Sequence, residues 1–307
     1  MQEKRSADSG EERQYHGMVV PLVTPLDENE RVDVTALRRI VRHVLKAGVH
    51  GLFVNSTSGE AVCLADAEKK RALDVVVEEN GGATPVYAGI SDTGTRRTLD
   101  NLKWSEKAGA DVVVAHPPYY FPPNQDSELI DYYTRLADSC SRPLMLYNIP
   151  FTTQAPLTVG AVREMLAHPN IIGIKDSSTD FGYLLELIEL KKERSDFAIF
   201  IGKTQLWTAG MLSGADGGLD GISNLIPDRC TALYRAIAAG SKVVYAMQRE
   251  INAIWRVYEC RSFLAGIKTA LSLMGLCRPY TTHPILGASV EEKEKIAVIL
   301  RSHGLIE

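Results

Sequence analysis

The sequence predicts a closed (β/α)₈ barrel followed by a C-terminal helical extension. Three observations carry that prediction. Short apolar runs alternate with longer amphipathic stretches eight times between residues 18 and 239. Glycine marks the helix-to-strand joint in three similar passages, 47–54, 108–115 and 214–219. The first apolar run leads into TPLDENERVD rather than a GxGxxG phosphate loop, which argues against the nucleotide-binding version of an open doubly wound sheet.

In chain order, strands are expected at 18–23, 50–54, 84–89, 111–115, 143–147, 171–175, 197–201 and 217–220. They read as runs rather than alternations, as in a parallel sheet covered by helices on its outer face. The eighth is short and rich in glycine. Helices are expected near 34–47, 61–80, 95–108, 127–140, 158–168, 180–194, 204–213 and 228–239. Asp33 is placed to cap the first, whose stripe is Leu37, Ile40, Val41, Val44 and Leu45. Gly48 and Gly109 end helices in a left-handed conformation. Residues 16–240 thus form the barrel. Amphipathic stretches near 241–258, 262–275 and 289–302 make residues 241–307 a helical extension, either extra cover or a subunit contact. RPYTTHPILG between the last two is expected to be an ordered loop.

Composition narrows the function classes. The chain has 307 residues, 45% apolar and 23% charged, close to ordinary globular usage. A chain of this size buries about 75% of its extended surface and needs no disulfide or metal staple. Net charge is −4 and no dense basic block occurs, so a nucleic-acid partner is not expected. Cys63, Cys140, Cys230, Cys260 and Cys277 are scattered and form no CxxC pair, which suits a reducing compartment. Apolar runs fall short of the ~20 residues of a membrane helix. Residues 1–15 are polar and read as a flexible leader without a signal core, so the cytoplasm is the expected location. The seven histidines show no HxH or HExxH spacing, and no metal site is expected.

In a barrel the chemistry sits at the carboxyl ends of strands. Lys175 closes IIGIK, and a period of two places Ile171, Gly173 and Lys175 on one face. Should that face be the lumen, desolvation disfavours the charged form of an amine there, and a neutral amine attacks a ketone to form a Schiff base. A strand-end lysine equally reaches solvent or pairs with a neighbour such as Asp176. Tyr147 ends PLMLY, where a phenol can relay protons or serve as an ordinary core side chain. Thr57 and Ser58, in NSTSGE, offer hydroxyls and backbone N–H groups to a carboxylate, with Glu60 in the first turn of the next helix; a plain helix cap fits as well. Tyr119 and Tyr120 lie in a proline-braced loop, suited to a subunit boundary or to surface packing.

These segments together resemble the dihydrodipicolinate synthase / N-acetylneuraminate lyase family of class I aldolases and dehydratases. The matches are G-x-x-x-P-x-x-T-P-L from Gly17 to Leu26, then STSGE, PPYY, LYNIP, GIKDSS, and GADGG followed by GISNLIP, spanning residue 16 to about residue 302. The resemblance implies a (β/α)₈ barrel with a C-terminal helical part, in a homotetramer built as a dimer of dimers. It implies Lys175 as the Schiff-base lysine, Tyr147 as the proton relay, and Thr57 and Ser58 as the grip on the keto-acid carboxylate. It further implies Tyr120 as a tyrosine contributed by the neighbouring subunit, Gly202 as a carbonyl facing substrate, and Leu219 as a pocket-lining residue. No metal or organic cofactor is implied, because the iminium itself is the electron sink.

The departures shape the expected activity. The synthases carry an arginine two residues after the YNxP proline, where this chain has Thr152; losing a guanidinium there argues against aspartate semialdehyde. Sialate lyases carry an acidic pair where this chain has Thr204 and Gln205. Lys203 replaces a frequently acidic position and faces either a second anionic group or water. The altered AGISDTGT turn offers Asp92 and Thr93 to a polar substrate tail. YNIPFTT resembles the corresponding segment of keto-deoxy sugar-acid aldolases. The expected activity is a retro-aldol cleavage of a 2-keto-3-deoxy sugar acid to pyruvate and an aldehyde. Dehydration of a sugar acid, dihydrodipicolinate synthesis, or keto-acid binding without turnover are the alternatives.

Overall fold

The computed structural model describes residues 15–307; the leader expected at 1–15 lies outside the described residues except for Tyr15. Eight parallel strands pair in sequence order and close on themselves: β1 (Gly17–Pro21), β2 (Gly51–Val54), β3 (Val86–Gly89), β4 (Val112–Ala115), β5 (Leu144–Asn148), β6 (Ile171–Asp176), β7 (Ala198–Ile201) and β8 (Gly217–Gly218). The predicted (β/α)₈ barrel is therefore the observed fold. Closure depends on glycine at β8. A Cβ at Gly217 would lie 1.9 Å from the Gly17 carbonyl oxygen, so no larger residue lets β1 and β8 meet.

Among the described residues, nine α-helices follow strands or strand ends around the barrel: α1 (Val34–Lys46), α2 (Asp66–Asn80), α3 (Thr95–Ala108), α4 (Asp126–Ser139), the single turn α5 (Pro150–Thr153), α6 (Val159–Met165), α7 (Phe181–Glu189), α8 (Trp207–Leu212) and α9 (Pro227–Ala238). Asp33 caps α1 by accepting from the Ala36 N–H. Gly109 ends α3 at φ +96°, and Gly48 follows α1 at φ +68°. The extension adds α10 (Val244–Trp255), α11 (Phe263–Leu273) and α12 (Val290–Ser302). None of the helices among the described residues is long and apolar enough to cross a membrane.

Two cores result. The larger lies between strands and helices; the smaller fills the lumen with Val19, Phe53, Tyr87, Val112, Val114, Met145, Tyr147, Ile149, Ile172, Ala198, Phe200 and Leu219. Tyr15 packs against this inner cluster. Two expectations need correction. Ile171 does not share the face of Lys175. The β5–β6 register slips, pairing Leu144 with Ile171 but Met145 with Gly173, so Ile172 enters the lumen while Ile171 packs outward. The second helix does not begin at 61. Residues 57–63 form turns, and α2 starts only at Asp66.

Candidate active site

Strand register brings the candidates together. Tyr147 on β5 pairs with Lys175 on β6, which pairs with Phe200 on β7. All three are buried. Lys175 Nζ lies 4.0 Å from the centre of the Tyr147 ring and 5.4 Å from that of Phe53, so the amine rests among aromatic faces in the lumen mouth. Gly173, next on that face below the lysine, has no room for a Cβ, which would meet the Ala198 carbonyl oxygen at 2.4 Å. Thr57 Oγ1 and Tyr147 Oη are 3.3 Å apart, linking the 55–60 loop to the phenol.

That loop works differently from the expected helix opening. Gly59 and Glu60 N–H groups donate back to Ser56 and Thr57 carbonyls, and the tight turn so formed presents Thr57 and Ser58 to the cavity that Lys175 lines. Glu60 is not in a helix. It sits at φ +58° and turns its carboxylate inward, where Oε1 meets the Lys268 ammonium from α11 and Oε2 accepts from Thr282 N and Oγ1 at 2.7 and 2.8 Å. Lys268 Nζ also donates to the Tyr280 carbonyl at 2.7 Å. Burial lowers the Lys268 pKa, and the nearby Glu60 only partly offsets that. The helical extension thus braces the loop that carries Thr57 and Ser58.

A cavity of about 230 Å³ opens on Lys175. Tyr147, Thr57, Ser58, Gly202, Lys203 and Leu219 line it together with Phe151, Asp220 and, from the extension, Trp255, Tyr258 and Phe263. Gly202 is needed as glycine: a Cβ would lie 2.0 Å from Ser177 Oγ and 3.1 Å from Lys175 Cε. Asp220, just past β8, accepts from the Thr204 and Ile222 N–H groups, and burial raises its carboxyl pKa.

Behind Tyr147 and Thr57 lies a second cavity of about 150 Å³, lined by Phe53, His116, Tyr119 and Thr152 among others. Burial lowers His116 to about 4, so its imidazole is neutral near pH 7; Nδ1 lies 2.8 Å from the Pro117 carbonyl, and the ring meets Tyr147 edge-on at 6.0 Å. A cavity of about 310 Å³ between α11 and the 279–288 loop lies apart from these strand ends.

The placements correct the expectation for Asp92 and show where Thr152 and Tyr120 lie. Thr152 faces the second cavity, not the one holding Lys175, because it belongs to the turn α5 and its hydroxyl donates to the Ile149 carbonyl. Tyr120, at φ +74°, is 82% exposed and stacks edge-on against Phe121, away from Lys175 within this chain. Asp92 does not reach either cavity; Arg97, the Thr93 N–H and Asn101 occupy its oxygens. Sequence reasoning missed Asp220, Trp255, Tyr258 and Phe263. Asp220 carried a signal, its position one residue beyond Leu219 at a strand end. The three aromatic residues carried none, because nothing local says where the extension docks.

A closed parallel barrel with an amine, a phenol and paired hydroxyls at its strand ends is an enzyme scaffold, and these groups are those of carbonyl chemistry. The dihydrodipicolinate synthetase family model matches residues 14–303, and the chain belongs to this family of lyases. It is 34% identical to an uncharacterised DapA-like lyase of Thermococcus onnurineus over 290 residues, covering 93% of this chain and 98% of the relative. It is 31% identical to the 4-hydroxy-tetrahydrodipicolinate synthase of Methanospirillum hungatei, covering 93% and 98%. Among solved structures it resembles YagE, a prophage protein of the dihydrodipicolinic acid synthase family from E. coli solved in complex with pyruvate, at TM-score 0.91 and 27% identity, covering 95% and 99%. The dihydrodipicolinate synthase of Bacteroides thetaiotaomicron is similar at TM-score 0.88 and 32% identity, covering 94% and 98%.

Proposed function

We propose that the protein is a Schiff-base lyase that cleaves a 2-keto-3-deoxy sugar acid into pyruvate and an aldehyde. One observation carries the reading: Lys175 Nζ sits 4.0 Å over the Tyr147 ring in a pocket whose phenol is 3.3 Å from the Thr57 hydroxyl. The binding of pyruvate by the structurally similar YagE supports it.

The substrate carboxylate binds Thr57, Ser58 and their N–H groups. Lys175 attacks C2, and Tyr147 passes protons until water leaves and an iminium forms. The iminium accepts the electron pair of the C3–C4 bond as the C4 hydroxyl gives its proton to Tyr147. An aldehyde departs and a pyruvate enamine remains. Protonation at C3 and hydrolysis of the imine release pyruvate and restore the amine. Tyr120 acts from a neighbouring subunit of a homotetramer, consistent with its exposure on an isolated chain. The chain requires no cofactor for these steps.

The test is borohydride reduction with pyruvate present. A peptide map should place the adduct on Lys175, and Lys175→Ala should abolish it. An unmodified Lys175 would refute the scheme. Products from a panel of 2-keto-3-deoxy sugar acids then decide the bond broken: pyruvate release means cleavage, whereas loss of water with an intact carbon chain means dehydration.

A further inference from the structure

Among the described residues, the lysines that are not exposed are Lys69, Lys175, Lys191, Lys203 and Lys268. Three of them meet a carboxylate: Lys69 with Asp66, Lys191 with Asp216, and Lys268 with Glu60. Among the described residues, neither Lys175 nor Lys203 forms an ion pair with any carboxylate, and both line the same 230 Å³ cavity. Lys175 is accounted for by the reaction above. Lys203 is not.

Lys203 directly follows Gly202 beyond the end of β7. Its Nζ lies 5.1 Å from the centre of the Trp255 ring, so an indole from α10 holds the ammonium at the pocket wall without neutralising it. Asp220 lines the same cavity, yet it is not within ion-pairing distance of Lys203, and its oxygens accept from the Thr204 and Ile222 N–H groups. A partly desolvated cation without a counterion is costly, and an anionic ligand group would supply the missing partner.

We infer that Lys203 binds a second anionic group at the far end of the substrate, making this enzyme selective for 2-keto acids that carry a terminal carboxylate or phosphate. The inference rests on the keto-acid reading above. Thr57 and Ser58 hold the carboxylate beside the ketone, Lys175 the ketone, and Lys203 the distal anion. The walls between are Leu219, Phe151, Trp255 and Tyr258, apolar faces with a hydroxyl from Tyr258 for the substrate chain. The position where an arginine would hold a distal carboxylate in the synthases is Thr152, which faces the other cavity, so the second anion is met from a different wall.

Calorimetric titration of the protein tests this, with 2-oxoadipate, 6-phospho-2-oxohexanoate and 2-oxohexanoate as probes, none of which carries the C4 hydroxyl that cleavage needs, against wild type, Lys203→Met and Lys203→Arg. Wild type should bind one or both doubly anionic probes about tenfold or more tightly than 2-oxohexanoate, the scale of one charge-assisted contact. Lys203→Met should erase that preference while leaving pyruvate adduct formation at Lys175 unchanged, and Lys203→Arg should keep part of it. The stronger of the two anionic probes tells carboxylate from phosphate. A wild type without the preference, or a Lys203→Met that retains it, overturns the inference. Failure of pyruvate to form an adduct would instead refute the Schiff-base reading, and the binding ratios would still report on Lys203.

Discussion

Replacing Lys268 by methionine should be among the most destabilising single changes in this protein that leave every lumen residue in place. Both partners of the Lys268–Glu60 pair have fully buried side chains, at 0% exposure. With the ammonium gone, the Glu60 carboxylate keeps only its two bonds from Thr282, at 2.7 and 2.8 Å, and the Tyr280 carbonyl loses its donor. Removing one member of a buried pair costs about 3–5 kcal/mol, because the remaining charge is left without a partner. At ~2 °C per kcal/mol, the lower end for a large domain, the melting temperature should fall by about 6–10 °C. The double variant Glu60→Gln/Lys268→Met removes both charges and should recover at least half of that loss. Differential scanning calorimetry on the three proteins measures it. Because Glu60 anchors the loop carrying Thr57 and Ser58, the single variant should also raise the KM for the keto acid more than it lowers kcat. A Lys268→Met protein melting within 2 °C of wild type, or a double variant no better than the single, would refute the reasoning.

Two further substitutions probe the site and the extension. Gly202→Ala places a methyl 2.0 Å from Ser177 Oγ and 3.1 Å from Lys175 Cε; Ser177 can rotate, but the amine is displaced, so adduct formation with pyruvate should slow by about 10²-fold, read by quenched-flow borohydride trapping. Glu292 caps α12 with Ser289 and bonds to Arg261; the Ser289 N–H, then the Arg261 N–H, pull its carboxyl from 4.5 down to about 2. Its pKa is lower folded than unfolded, so its stabilisation is complete above pH 4.5 and fades as pH falls from there toward 2. Glu292→Gln should therefore melt lower than wild type at pH 7, with the gap narrowing below pH 4.5 in parallel thermal melts.

Much of the architecture could be read directly from the chain. Glycine at 48, 109 and 214 marked helix ends because left-handed backbone excludes most other residues, and all three adopt positive φ. Apolar runs located the eight strands because a parallel strand covered on its outer face and facing a packed lumen has no polar side. Lys175 and Tyr147 stood at strand ends, and the barrel rule made strand ends the place for chemistry. The failures share one cause. The slip that puts Ile172 into the lumen arises from pairing between β5 and β6, and a period of two within one strand carries no trace of it. Local pattern places Glu60, a carboxylate after a serine-rich turn, in a first helical turn; its actual partner lies more than 200 residues away in α11.

The sequence by itself determined which segments become strands and helices and which side chains stand at strand ends, since those properties follow from backbone sterics and from periodicity over a few residues. Only the closed tertiary structure decided that Lys175 meets the face of Tyr147, that Trp255 holds Lys203 at the same pocket, and that Lys268 neutralises Glu60. Those contacts join segments distant in the chain, and they exist because barrel closure and docking of the extension bring their partners together, burying Lys175, Tyr147, Lys268 and Glu60 and half-burying Lys203 and Trp255.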